Sequence, residues 1–408
     1  MFNLHLSAEQ LEIRDTVRDF VTREVKPVAL KPERLEPFDK PLLTALLDQA
    51  SQLGLRTLAL SEDAGGAGAD NLTACIVTEE LAVGDPDIAA VLAHTATLGR
   101  LLERLMTPAQ RDRFLPQFAA DDRFHLALAE HEPGSETALG VHYHRQAAIE
   151  PGIRTTAARA GDQWVINGAK NCVANAPLAK LFAVQVSTAG GVSTLLVPRD
   201  APGLSVRAQE GHWFHGSCGE VVFENCRVPA ENLLGAEGRS PLADGLEASG
   251  RGSPQSQALN LGIGRAAYEA ALDYAQLRVQ GGRHIIEHQA IGMKLADIAM
   301  RLEVARAAIW RAAWASDHPD AVADRSLPDL PLQTIAQIFT AEAMLAATKD
   351  AAECFGAMGV MRDMPLQKYV HDARVCLHSG DGSTDARLRL AEVLAGYRRP
   401  APAAASTK

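Results

Sequence analysis

The chain has 408 residues, 47% of them hydrophobic and 22% charged, with a net charge of −10. This length exceeds one simple core and suits two or three packed units. No apolar run approaches the roughly 20 residues that cross a bilayer, and no basic face of the kind nucleic acid requires is visible.

The start, MFNLHLSAEQLEIRD, lacks a basic segment followed by an apolar one, so we expect no signal peptide and a cytoplasmic protein. Ser7 with Gln10 forms a capping-box pattern, followed by Leu11, Val17, Phe20, Val21 and Val25 on one helical side. A second helix is predicted from Pro41 to Leu53, then a Gly- and Asp-rich loop, SEDAGGAGADNLT. Helical periodicity returns from Leu72 to Leu105, broken at Gly84, Asp85 and Pro86.

The middle third changes character. Leu126–Ala129, Thr155–Ala160, Trp164–Ile166, Leu181–Val186, Ser193–Val197 and Val221–Phe223 are short apolar or β-branched runs. Turn residues separate them, which predicts an antiparallel β domain. Two alanine-rich helices follow, Gln255–Gln280 and His288–Ser316, with Leu261, Gly264, Tyr268, Leu272 and Ala275 on a bundle-type buried face. Further helices are predicted at Gln333–Phe355 and Ser383–Leu394. The fold class is therefore α+β: a helical unit (1–123), a β unit (124–236), a helical bundle (237–398) and a disordered tail (399–408). Cys75, Cys172, Cys218, Cys226, Cys354 and Cys376 form no C-x-x-C pair, so we expect buried thiols and no metal.

Five segments carry a family resemblance: LALAEHEPGSE (126–136), DQWVINGAKNCVANA (162–176), GEVVFENCRVPAENLLG (219–235), 259–306 and 353–385. In this order they resemble the acyl-CoA dehydrogenase family. The resemblance implies a helical N-terminal domain, a middle β domain and a C-terminal four-helix bundle. It also implies FAD bound between subunits of a homotetramer, an acyl-CoA substrate and electron hand-off to an electron-transfer flavoprotein.

The chemistry can be stated independently. Desaturating a thioester between its α and β carbons needs a base for the α proton, an acceptor for the β hydride and donors that hold the carbonyl. A flavin supplies the redox step that no side chain can perform.

The family's catalytic glutamate, in Glu-Gly-Thr after Asp-Ala-Arg, has no direct match. Counted without a gap from Asp372-Ala373-Arg374 it falls on Gly380; with one inserted residue, Asp381-Gly382-Ser383 takes its place. We therefore assign the base to Asp381, whose pKa a dry pocket should raise. The alternative is that Asp381 caps the last helix. His378 is the second candidate base and His94 the third. The earlier-helix position that some members use falls on Gly252.

The resemblance places Leu128, Ala129 and Ser135 along the flavin ring, with Ala129 where the family has threonine. Cys172 and Ala174 stand where it has tryptophan and threonine. Arg278 matches the arginine that reaches a neighbouring subunit's FAD pyrophosphate, or is a solvated helix-end arginine. Gln280, His288, Gln289, Glu353, Phe355, Gly356, Ser383 and Asp385 complete the expected cofactor contacts, and Ser135, Arg251 and Gly382 the substrate contacts. Gly252, Ser253, Ser256 and Gly262 leave room for a branched or alicyclic acyl group, or mark close helix packing. The sequence leaves three readings: dehydrogenation, enoyl-CoA reduction or elimination, and acyl-CoA binding or assembly without catalysis.

Overall fold

The computed structural model describes residues 5–35, 41–133, 153–209, 214–242, 253–318, 331–378 and 382–395. The Ser7–Gln10 capping box forms as expected: the Gln10 N–H donates to Ser7 Oγ at 3.1 Å and the Ser7 N–H to Gln10 Oε1 at 3.0 Å. It opens helix α1 (Ala8–Phe20), which continues through a π-helical turn, Val21–Val25, into α2 (Lys26–Ala29). Val17, Phe20, Val21 and Val25 are buried, whereas Leu11 is exposed. Helices α3 (Thr44–Gln52), α4 (Asn71–Gly84) and α5 (Pro86–Leu105) follow the sequence pattern. The expected break between α4 and α5 is a cap: Asp85 Oδ1 accepts the Asp87 and Ile88 N–H groups, and Pro86 begins α5. Helix α6 (Pro108–Ala120) lies beyond the last predicted helix of this unit. Its signal is the Thr107–Gln110 capping box, with Pro108 at the first helical position.

The β unit holds β1 (His125–Ala129), β2 (Thr156–Ala160), β3 (Gln163–Ala174), β4 (Ala179–Thr188), β5 (Gly191–Pro198), β6 (Leu204–Ala208), β7 (Cys218–Pro229) and β8 (Leu233–Leu234). Their order is β6-β7-β3-β2-β4-β5-β8, with β1 beside β4. The sheet is antiparallel except at two places: β1 runs parallel to β4, and β2 meets β4 in parallel at Thr156–Ser187. Tight turns force neighbours such as β2–β3 and β4–β5 to be antiparallel. No tight turn joins β1 to β4, so its direction is free of that constraint.

Successive residues of β4 feed two cores. Phe182, Val184 and Val186 join the interior of the β unit, while Leu181 and Ala183 pack with Leu98, Phe114 and Phe118 of α5 and α6. This explains why KLFAVQV reads as a continuous apolar run.

The last unit comprises α7 (Pro254–Leu277), α8 (Gln289–Asp317), α9 (Leu332–Cys354), α10 (Leu366–His378) and α11 (Gly382–Leu394). A hairpin of β9 (Val279–Gln280) and β10 (Arg283–His284) separates α7 from α8; Gly281 and Gly282 turn it with φ of 64° and 83°. Leu261, Gly264 and Ala275 are buried as expected, with Tyr268 and Leu272 half-buried. Glycine lets helices approach here: a Cβ on Gly264 would strike Met344 of α9, and one on Gly262 would sit 2.7 Å from Ala82 of α4. One apolar cluster runs from α1 and α4 through α7, α8, α9 and α10. Buried ion pairs cross the same boundary: Arg265 of α7 binds Glu79 at 2.7 Å and Glu80 at 2.5 Å, and Arg306 of α8 binds Glu79 at 2.8 Å. The expected tail, 399–408, lies outside the described residues.

Candidate active site

The sheet brings the first group of sequence-predicted residues together. The chain leaving β1 runs beside the end of β3, where the Asn171 N–H donates to the His131 carbonyl at 2.9 Å. Leu128 and Ala129 thus lie near Cys172 and Ala174. Ala129 is fully buried in the β core, so its side chain faces away from any ligand and only its main chain could serve one. Cys172 has φ of 52°, where the β3–β7 register shifts between Lys170 and Val173. Such a bulge re-aims side chains at a sheet edge. Asn175, at φ 62°, donates its amide to the Val91 carbonyl at 3.0 Å and Thr95 Oγ1 at 3.1 Å, which fixes this edge against α5.

Two residues that sequence reasoning missed hold that arrangement. Lys170, with no side-chain exposure, donates to Glu132 Oε1 at 2.9 Å and to the Glu130 carbonyl at 3.1 Å. Glu132 also accepts the Arg154 and Thr155 N–H groups, each at 2.8 Å. Burial pushes the Glu132 carboxyl up, but the Thr155 N–H, Lys170 and the Arg154 N–H outweigh it and hold the group at about 2. No local sequence signal marks them, because Lys170 and Glu132 lie 38 residues apart and meet only in the fold.

A second group gathers at the far end of α7. Arg278 caps this helix, is exposed, and has no ion-pair partner among the described residues. His288 Nε2 lies 3.0 Å from the Gln280 carbonyl, and its Nδ1 3.3 Å from Arg283 Nη2. Gln289 begins α8 and is exposed. Phe355 stacks on Tyr274 with centroids 4.1 Å apart, Gly356 turns the chain at φ 57°, and Glu353 pairs with Lys294 at 2.5 Å.

The expected base and substrate residues Asp381, Ser135, Arg251 and Gly252 lie outside the described residues. Gly382, Ser383 and Asp385 stand in the first turn of α11. His378 is exposed at the end of α10. His94 sits on α5 between Val91 and Thr95, the residues that hold Asn175; its Nε2 is buried without a partner among the described residues. Burial holds its imidazole at about 4, so it is neutral at pH 7. Gly262 packs closely on α4, and Ser253 serves as the N-cap of α7, its side chain accepting the Ser256 N–H. Among the described residues there is no helix long and apolar enough to cross a membrane.

Comparison with known proteins gives the family. Models of the acyl-CoA dehydrogenase N-terminal, middle and C-terminal domains match residues 7–122, 126–226 and 252–392. The chain is 31% identical to an acyl-CoA dehydrogenase of Bacillus subtilis, over 91% of this chain and 94% of that one. It is 29% identical to the mitochondrial isobutyryl-CoA dehydrogenase of Dictyostelium discoideum, over 94% and 88%. The structure of butyryl-CoA dehydrogenase from Megasphaera elsdenii superposes with a TM-score of 0.80 at 25% identity, covering 95% and 98%. The described residues are compatible with the family's flavin: Arg278 is exposed with no ion-pair partner among them, as a pyrophosphate contact requires, and the register of β3 shifts at Cys172 near the end of β1. The chain therefore belongs to the acyl-CoA dehydrogenase family, whose members are FAD-dependent oxidoreductases.

Proposed function

We propose that this protein desaturates a small branched or alicyclic acyl-CoA between its α and β carbons, with Asp381 as the base and an electron-transfer flavoprotein as acceptor. The observation that carries the reaction class is the match of all three family domains along one chain. The isobutyryl-CoA and butyryl-CoA named for its relatives support a small acyl group. FAD, when bound, supplies acceptance of the β hydride. The Asp381 carboxylate takes the α proton, and Ser135, Arg251 and Gly382 line the thioester. Leu128, Ala129, Cys172 and Ala174 form the floor under the ring, largely through main chain.

Arg278, Gln280, His288, Gln289, Glu353, Phe355 and Gly356 belong to the cofactor site of a second copy in a homotetramer. The exposure of Arg278, Gln280, Gln289, Glu353 and Gly356 on their own chain supports this, as do Leu277, Met293, Met300 and Val304, exposed by 79%, 66%, 59% and 53% on α7 and α8.

The test is a panel of butyryl-, isobutyryl- and cyclohexanoyl-CoA added anaerobically to the yellow protein. Bleaching by a saturated thioester is expected. Turnover of enoyl-CoA alone points instead to the reductase, and colourless protein that cannot be loaded with FAD to a binding paralogue. Asp381→Asn should keep the colour and slow bleaching by about 10²–10⁴-fold, the worth of a positioned base; bleaching at the wild-type rate overturns that assignment.

A further inference from the structure

A buried histidine joins all three parts of the fold at one point. His215 precedes β7; its Nδ1 lies 3.3 Å from Asp87 Oδ1 on the first turn of α5, and its Nε2 3.0 Å from the main-chain oxygen of Asp372 on α10. The His215 and Asp87 side chains are only 8% and 11% exposed. The next residue tightens the joint, because the Gly216 N–H donates to the same Asp87 oxygen at 3.0 Å. Gly216 has φ of 84°, and a Cβ there would lie 3.2 Å from Val91 Cγ2 and 3.3 Å from Ala90 Cβ, so the main chain is pressed onto α5. On the other side, the Asp372 carboxylate binds Lys368 Nζ at 2.7 Å, both side chains being 1% exposed. α10 is therefore anchored from within and from across the domain boundary.

We propose that His215 is a positioning residue that registers the C-terminal half of α10 against α5 and so sets where the chain departs toward the catalytic base. The inference rests on the reading of Asp381, three residues beyond the end of α10 at His378, as that base. Besides the Cys376 thiol, which also hydrogen-bonds the ring, the two nitrogens face a carboxylate and a main-chain carbonyl, and both of these accept hydrogen bonds. Each ring nitrogen therefore donates, and His215 is an imidazolium. The titratable and charged groups around it are Asp87 from α5, with Cys376 and Asp372 from α10 and Lys368 and His371 behind Asp372. Burial lowers the imidazole's pKa, but Cys376, Asp87 and Asp372 outweigh it and hold the group well above the usual histidine range. The cation joins α5 and α10 through two directional bonds, and a one-donor side chain cannot span both.

The test compares His215→Gln and His215→Arg in the full-length, FAD-loaded protein. Gln loses the charge and carries its two N–H groups on a single nitrogen, so it cannot place donors at the two ends of a ring; Arg keeps separate donor nitrogens and the charge. With isobutyryl-CoA or butyryl-CoA, whichever bleaches the wild type faster, His215→Gln should lower the bleaching rate about 10- to 100-fold, the cost of a small misalignment. The substrate concentration for half-maximal rate should stay within about threefold. His215→Arg should restore most of the rate. The visible circular dichroism of bound FAD should change in His215→Gln and return in His215→Arg, a readout independent of turnover. Asp87→Asn carries the same expectation and serves if His215→Gln does not fold. The proposal is overturned if His215→Gln bleaches at the wild-type rate per bound flavin, or if His215→Arg is no better than Gln. Asp381→Asn separates the two readings. If it bleaches normally, the base assignment fails; if it is dead while His215→Gln is normal, only the positioning role fails.

Discussion

Lys170→Met tests what holds the end of β1 against β3, the proposed floor of the flavin site. It removes the cation from a pair in which Lys170 has no exposure and Glu132 only 9%. Breaking one side of a buried pair costs about 3–5 kcal/mol. Glu132 would keep the Arg154 and Thr155 N–H groups at 2.8 Å, so the lower end, about 3 kcal/mol, is expected. The Glu130 carbonyl also loses its partner, and the segment after β1 is left with the Asn171 N–H to His131 carbonyl bond as its tie to β3. Guanidinium unfolding followed by fluorescence of Trp164, buried in the β unit, measures the loss, and absorbance at the flavin band measures FAD retention. The pH dependence has a definite sign. The folded carboxyl, at about 2, lies below its unfolded value. Its stabilisation is therefore full above about pH 4.3 and is lost as pH falls toward 2. The gap between wild type and variant should follow that window. The double variant Glu132→Gln/Lys170→Met should recover part of the loss, because no charge is left buried. A cost under about 1 kcal/mol, or one unchanged down to pH 3, refutes the reasoning.

Two further outcomes follow from the same structure. His125, 2% exposed beside Thr95, has its imidazole held at about 4, chiefly by burial and then by Arg56. Its folded value lies below the unfolded one, so acidification from about pH 6.5 to 4 should cost the wild type about 3 kcal/mol at this residue. His125→Asn should flatten the stability curve over that range, and an unchanged curve excludes the buried neutral imidazole. Arg278→Ala should weaken FAD binding about 10- to 100-fold, the worth of one charge-assisted phosphate contact. Equilibrium dialysis against FAD checks this, and unaltered affinity makes Arg278 a solvated helix end.

The sequence alone determined the order of units and most elements within them, because local chemistry decides those. Ser7 and Gln10 cap a helix wherever they occur at that spacing, and Asp85-Pro86 ends one helix and starts another. The turns at Gly161-Asp162 and Gly190-Gly191 mark where β2 passes to β3 and β4 to β5 by the same local rules, whereas Asn167-Gly168, a turn signal by sequence, lies inside β3. Tertiary structure decided what those rules cannot reach. The parallel placement of β1 beside β4 depends on a partner about 55 residues away, with no tight turn to force its direction. Gly262 read equally as pocket or packing until α4 was seen against it. Glu132, Lys170, Asn175 and His215 carried no periodic signal, since each earns its role from a partner distant in sequence: Lys170 lies 38 residues from Glu132, and His215 128 from Asp87. A buried charge is tolerated only where the fold supplies its counter-group, and that pairing exists in three dimensions before it can be read in one.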